Sequence, residues 1–198
     1  MSSEELAVPD AGEMAVAGRL ELSVRARRRS EAALVRAARA GDDTAVEELF
    51  RRHWPGTYRA AYLVVSDAAA AEDIAQEAFL KAVAALDRFD RRRPLAPWLH
   101  RIAVNRAIDW TRARALRPET AGAEERPAPP PAVPGLSEEL VTALAALPAE
   151  RRAAVVLRYL LDYTPGEIAH ILELPRGTVN SRLRRGLDEL ERALGERP

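Results

Sequence analysis

The sequence predicts an all-α protein made of two small helical domains joined by a linker rich in proline and alanine. Three observations predict it. Apolar residues recur at helical spacing nearly everywhere, and no stretch alternates as a half-buried strand does. Hydrophobic residues make up 47% of the 198 but aromatics only 5%, and much of the rest is alanine, which suits small helical cores. Residues 118–136 are dense in proline and alanine with few large apolar groups, the composition of an extended, semi-stiff spacer. The spacer divides a domain over 30–117 from one over 137–198. Residues 1–29 read as a disordered extension ending in the basic run RARRR.

Each element has its own signal. Ser30 can cap a first helix ending near Gly41, and Asp42 or Asp43 a second that carries Val46, Leu49 and Phe50. Pro55 is expected to bend or break that second helix, because proline offers no N–H to the turn behind it. Asp67 caps a third helix running to about Asp87, and Pro97 stands at the start of a fourth through WLHRIAVNRAIDWTRARA. In the second domain, Ser137 opens a helix with Leu140, Leu144 and Leu147 on one stripe; Pro148 ends it, and another runs from about Ala149 to Leu161. Thr164, Pro165 and Glu167 form a capping-box pattern for a short helix, Pro165–Leu172. Glu173, Leu174 and Pro175 make a turn, and a last helix runs from about Arg176 to Leu194.

On that last helix Val179, Leu183, Leu187, Leu190 and Leu194 fall within about 80° of arc, a narrow stripe to be buried. Thr178, Ser181, Arg184 and Arg185 point away from it, with Asn180 at its flank. The pattern is a helix-turn-helix whose second helix can enter a major groove. Arg184 and Arg185 can donate to guanine edges or phosphates, and Ser181 and Asn180 can bond to either; Arg176 completes the basic patch. The plainer reading of the same residues is a solvated face on a small bundle.

Charge distribution supports the DNA reading although the formal net charge is +0. Arg91 to Arg117 carries eight arginines against one acid, Asp109, and Pro175 to Arg185 carries four arginines and no acid. At physiological salt a phosphate backbone feels charge within about 8–10 Å, so local patches count more than the total. Other classes lack their features. There are no cysteines, and His53, His100 and His170 are scattered without metal spacing, so no metal site is expected. No catalytic set, phosphate loop, cofactor motif or small-molecule site is legible. No apolar run reaches the ~18 residues of a membrane span, and the N-terminus is not a secretory signal; the cytoplasm is the expected location.

Two segments of the first domain complete the pattern. Asp73, Gln76, Glu77 and Lys81 share one helical face, with Ile74, Ala78, Ala82 and Ala85 opposite. From Trp98 to Arg117, arginines and aromatics interleave, which suits single-stranded DNA: bases stack and phosphates pair with guanidinium. Both also read as ordinary amphipathic helices, and Trp98 and Trp110 equally as core residues.

Here the residues reach a resemblance. The run AEDIAQEAFLKAVAALDRF followed by PLAPWLHRIAVNRAIDWTRAR resembles the second region of extracytoplasmic-function (ECF) sigma factors of bacterial RNA polymerase. LPAERRAAVVLRYLLDYTPGEIAHILELPRGTVNSRLRRGLDELERAL resembles their fourth region. GTVNSR by itself also occurs in response-regulator-like readers, so the weight rests on DIAQEAF and WLHRIAVNRAID upstream of it. The resemblance implies a sigma region 2 helical bundle over 30–117 and a sigma region 4 helix-turn-helix over 137–198. It implies a factor without catalysis that binds core RNA polymerase, recognises the −35 and −10 promoter elements and promotes DNA melting. By resemblance, Asp73, Gln76, Glu77 and Leu80 dock the clamp helices of the largest catalytic subunit, and region 4 touches other subunits. Trp98, Arg101, Asn105, Arg106, Asp109 and Arg112, with the loop 89–97, capture the unpaired −10 strand. Arg158 joins Arg176, Thr178, Asn180, Ser181, Arg184 and Arg185 on the −35 element, although it reads equally as a solvated arginine. The resemblance also allows an anti-sigma factor as a partner. Asn180 departs from the pattern, since relatives often carry a basic residue there. A stand-alone helix-turn-helix regulator would need a ligand pocket or an apolar dimer face, and neither is legible.

Overall fold

The computed structural model describes residues 30–116 and 135–195, and every regular element among them is helical. Residues 1–29 and most of the spacer lie outside the described residues.

Four helices form the first module. Helix α1 (Glu31–Arg39) is capped by the Ser30 hydroxyl, which accepts from the Ala33 N–H. Gly41, at φ 87°, takes the left-handed turn into α2 (Asp43–Val65), capped by Asp42. The Asp67 carboxylate caps α3 (Ala68–Ala84), which ends in a 3₁₀ turn, Leu86–Arg88, where the sequence reading extended the helix to Asp87. Helix α4 (Leu95–Ala115) is capped from a distance, because the Leu95 N–H donates 2.7 Å to the Glu31 carboxylate of α1. Arg39 binds the other side of this corner, donating to the Leu86 and Phe89 carbonyls. Leu34, Leu49, Phe79, Leu86, Leu95 and Leu99 fill the space between these elements.

Pro55 neither ends nor breaks α2, which runs through it for 23 residues. The proline is exposed, so its ring meets solvent. Beyond it, Ala60 to Val65 are all buried, and the Thr57 hydroxyl donates 2.9 Å to the His53 carbonyl across the same turn. Proline inside a helix costs about 3 kcal/mol; burying six consecutive apolar side chains outweighs that at roughly 1–3 kcal/mol for each larger one.

The second module contains α5 (Glu138–Ala146), capped by Ser137, and α6 (Ala149–Val155), which widens into a π turn over Val156–Leu160. In that turn the Leu161 N–H donates to the Val156 carbonyl, five residues back, where the sequence suggested plain helix to Leu161. Helix α7 (Pro165–Ile171) carries the complete capping box: the Thr164 hydroxyl accepts from Glu167 N–H, and the Glu167 carboxylate accepts from Thr164 N–H. Helix α8 (Arg176–Gly195) lies across α6.

The stripe of α8 differs from expectation at its C-terminal half. Val179, Leu183 and Leu190 are buried, but Leu187 and Leu194 are 39% and 43% exposed. Gly186 is buried in their place. A Cβ there would stand 2.8 Å from Val155, so the absent side chain lets α8 approach α6 at the crossing.

The modules do not stand apart. Val64 of α2 and Ala103, Val104 and Ala107 of α4 share one apolar cluster with Val156, Leu157, Ile168 and Ile171 of the second module. Helix α6 packs against both α2 and α4, and α7 packs on α4.

Candidate nucleic-acid interface

On α8 the buried Val179 and Leu183 fix the helix against α6 and α7, which aims its opposite side outward. Arg176, Asn180, Arg184 and Arg185 are exposed there, with Thr178 and Ser181 partly so. Arg182 instead lies within electrostatic reach of Glu150 on α6. Three of the four arginines counted in this stretch therefore form the outward patch. Arg158, in the π turn, is partly buried; it donates 3.3 Å to the Tyr163 carbonyl and lies 5.7 Å from the centre of the Tyr159 ring. It thus also braces the turn into α7.

On α3, Asp73, Gln76 and Leu80 are exposed, Leu80 by 72%, while Ile74, Ala78 and Ala82 are buried behind them. Glu77 is shared: Lys81 pairs with it at 2.6 Å and Arg106 of α4 donates to it at 2.7 Å. These hydrogen bonds, that from Lys81 first, hold its carboxyl below the usual range. The outward face of α3 is thereby joined to the polar side of α4.

The α4 residues divide among neighbours. Trp98 stacks on Phe89 at 4.9 Å between ring centres, and Trp110 is partly buried under Arg114 at 5.2 Å. Asp109 is exposed, 3.9 Å from Arg112. Three residues proposed for DNA turn toward the second module. Arg101 pairs with Glu173, the Asn105 amide lies 3.5 Å from the Ile171 carbonyl, and Arg112 donates 2.7 Å to Glu150. Burial pushes the Glu150 carboxyl up, but its own backbone N–H, Arg112 and Arg182 outweigh it and hold the group low.

Two buried groups at this junction were not singled out from sequence. Arg152 of α6 is 6% exposed and reaches across to α2, donating 2.6 Å to the Val64 carbonyl and 3.3 Å to the Ser66 hydroxyl. Its other nitrogen donates to the Leu147 carbonyl at 2.8 Å and to that of Ala145. Burial lowers its pKa to about 10. His100 Nδ1 and the Tyr163 hydroxyl share a 2.8 Å hydrogen bond. Burial, with a smaller push from His53, lowers His100 to about 4; burial, helped by Glu167, raises Tyr163 to about 12. One signal for Arg152 was available: it lies three and four residues before Val155 and Val156, on the apolar side of its helix.

Fold and site define a two-module, all-helical protein of the helix-turn-helix class, with arginine-rich surfaces in both modules. Residues 49–117 match the family Sigma-70 region 2, and residues 137–190 match Sigma-70, region 4. The chain is 32% identical over 176 residues to the ECF RNA polymerase sigma factor SigW of Bacillus subtilis, covering 81% of this chain and 94% of that one. It is 36% identical over 173 residues to the ECF RNA polymerase sigma factor SigM of Mycobacterium tuberculosis, covering 84% and 86%. Among solved structures it resembles CnrH in complex with the cytosolic domain of CnrY: TM-score 0.64, 27% identity, 85% of this chain and 99% of that one. The fold also matches the sigma factor RpoE of Bartonella quintana, solved in complex with the anti-sigma factor NepR, with TM-score 0.64, 24% identity and coverage of 77% and 98%. The chain belongs to the ECF sigma factors, which direct promoter recognition and transcription initiation by RNA polymerase. No helix among the described residues is long and apolar enough to cross a membrane.

Proposed function

We propose that the two modules divide promoter recognition between them and that the factor performs no catalysis of its own. Helix α8 reads the −35 element as duplex, through Arg176, Thr178, Asn180, Ser181, Arg184 and Arg185, with Arg158 at the edge of the site. The polar side of α4, with Trp98, Arg101, Asn105, Arg106, Asp109 and Arg112, captures the unpaired −10 strand and so drives melting. The outer face of α3, with Asp73, Gln76, Glu77 and Leu80, docks core RNA polymerase in the cytoplasm. The solved structure of CnrH holds a second protein, the cytosolic domain of CnrY, which supports a protein partner of the anti-sigma kind here as well.

The observation that carries this reading is the outward face of α8. Exposed arginines stand opposite a buried stripe on a helix that a capped α7 holds at its N-terminus. Neither module needs to bind DNA tightly, since the polymerase holds both contacts at high effective concentration. Arg184→Ala and Arg185→Ala are each expected to weaken promoter binding by the holoenzyme by ~1–3 kcal/mol, with helical content unchanged. Unaltered footprints over the −35 region in both variants would refute the role given to α8.

A further inference from the structure

A shallow groove between α2 and α3 is lined only by apolar side chains, among them Val46, Phe50, Phe79, Val83 and Leu86, with Leu95 of α4 at its floor. Three large apolar side chains stand open to solvent there. Phe50 is 40% exposed, Val83 46% and, one turn before Val83, Leu80 72%. A contiguous apolar surface of this kind marks a place where something docks. Its rim is acidic. Asp43, Val46, Glu47 and Phe50 share one stripe of α2; Leu80, Val83, Ala84 and Asp87 share another on α3 and the turn after it. Asp43, Glu47 and Asp87 are exposed, and none has an ion pair among the described residues. The neighbouring cations are engaged elsewhere: Arg51 with Glu48, Lys81 with Glu77, Arg39 with backbone carbonyls, and Arg88 on the cavity beside Trp98.

Residues 19–29, outside the described residues, have the composition such a groove accepts. Leu20, Leu22 and Val24 alternate with Arg19, Glu21, Ser23 and Arg25, so in extended form three apolar side chains share one side. Arg25, Arg27, Arg28 and Arg29 follow and carry the charge opposite to the rim. The chain is also long enough. It enters α1 at Ser30, and Glu31 accepts from the N–H of the same Leu95 that floors the groove. Val24 and Leu20 lie six and ten residues before Ser30, about 20 and 35 Å of extended chain. Helix α1, the element between Ser30 and α2, is nine residues, or about 14 Å, long.

We propose that residues 19–29 fold back into the groove between α2 and α3, as an intrachain occupant that competes with core polymerase for α3. The overlap follows from register, because Leu80 and Val83 continue the stripe of Asp73 and Gln76. The competition rests on the reading of α3 given above. A short segment loses conformational freedom when it docks, so its hold is weak, and a partner with a larger contact area displaces it. The extension thereby sets how readily the free factor assembles with polymerase: apparent affinity for core falls by the fraction of molecules whose groove is open.

The test uses the full chain, whose lack of cysteine permits directed cross-linking. Leu22→Cys with Val83→Cys is expected to form a disulfide within one chain under mild oxidation, read by mass spectrometry of proteolytic fragments. Leu22→Cys with Ala113→Cys, exposed near the far end of α4, is expected to form none. Equal cross-linking of the two pairs overturns the docking; so does a cross-link found only between chains, which would give the groove to a second copy. Leu20→Asp with Leu22→Asp and Val24→Asp is expected to tighten core polymerase binding by about three- to tenfold, as for a groove filled in about 70–90% of free molecules. Arg27→Ala with Arg28→Ala and Arg29→Ala is expected to shift binding the same way, by less as salt rises. Unchanged core binding in both variants overturns the competition. Weaker core binding by the arginine variant overturns it too, and assigns the run to the polymerase itself. Gln76→Ala with Leu80→Ala tests the reading of α3 separately. Core binding as tight as the parent's removes α3 from the polymerase interface and the competition with it, while the cross-link alone decides whether the segment lies in the groove.

Discussion

Arg152 shows how much one buried side chain can connect. Its guanidinium satisfies the Val64 carbonyl at the end of α2, the Ser66 hydroxyl, and two carbonyls around the α5–α6 turn. Each buried acceptor left without a donor costs about 1–3 kcal/mol. Arg152→Ala is therefore expected to lower unfolding stability by several kcal/mol, roughly 3–5, as read by urea denaturation. Arg152→Lys should recover only part of this, since an ammonium cannot span acceptors on two elements as a planar fork does. A loss under about 1 kcal/mol for the alanine variant would show that water replaces these bonds.

His100 sets a pH dependence with a definite sign. Its folded pKa of about 4 lies below the 6.5 of the free side chain, so the unfolded chain takes up the proton first. The neighbouring groups are Tyr163 from the second module and His53 from α2, the latter paired at 3.0 Å with Glu31 and also lowered by burial. Above pH 6.5 His100 contributes no slope. As the pH falls from 6.5 to about 4, stability drops by an amount on the order of 3 kcal/mol, at about 1.4 kcal/mol for each pH unit crossed. His100→Gln should flatten that part of the profile. A thermal-denaturation profile as steep in the variant as in the parent would assign the slope to other groups.

At the scale of elements, α2 and α8 both run against a simple reading of their residues. Helix α2 continues through Pro55 because its second half lies at the centre of the first module, with Ala60 to Val65 buried. Helix α8 buries Gly186 and exposes Leu187, since close approach to α6 is possible only where no Cβ intervenes. Gly186→Ala places a methyl 2.8 Å from Val155 and is expected to destabilise the protein by about 1–3 kcal/mol, despite alanine's better helix propensity. Val155→Ala in the same chain should return part of that loss, and a double-mutant cycle measures the coupling. Gly186→Ala equal to or more stable than the parent would mean that α8 slides on α6 without penalty. The caps behaved more simply: Ser30, Asp42, Asp67, Ser137 and Thr164 each accept the backbone bond their chemistry suggests. Capping is a local interaction, complete within one turn, and so it is visible in sequence.

For the whole molecule, the shared apolar cluster couples the modules' stabilities. Trp54, Trp98 and Trp110 all lie in the first module, so tryptophan fluorescence reports that module while far-ultraviolet circular dichroism reports both. Because one of the apolar clusters spans both modules, the two signals are expected to trace a single coincident urea transition. A separate, earlier change in circular dichroism would mean that the second module unfolds alone and that the junction contributes little.

The sequence by itself determined the all-helical class, the caps, the capping box of α7, the outward arginines of α8 and the family, because each depends on short-range periodicity or contiguous motif. It also placed Arg101, Asn105 and Arg112 on one helix. Only the tertiary structure decided what those residues touch, how Pro55 is tolerated, why Gly186 is buried, and that Arg152 joins two modules. The physical reason is range. A helix face and its cap are fixed by neighbours within four residues, whereas the partners of Arg101, Arg112 and Arg152 lie 72, 38 and 88 positions away in the chain, where packing alone brings them together.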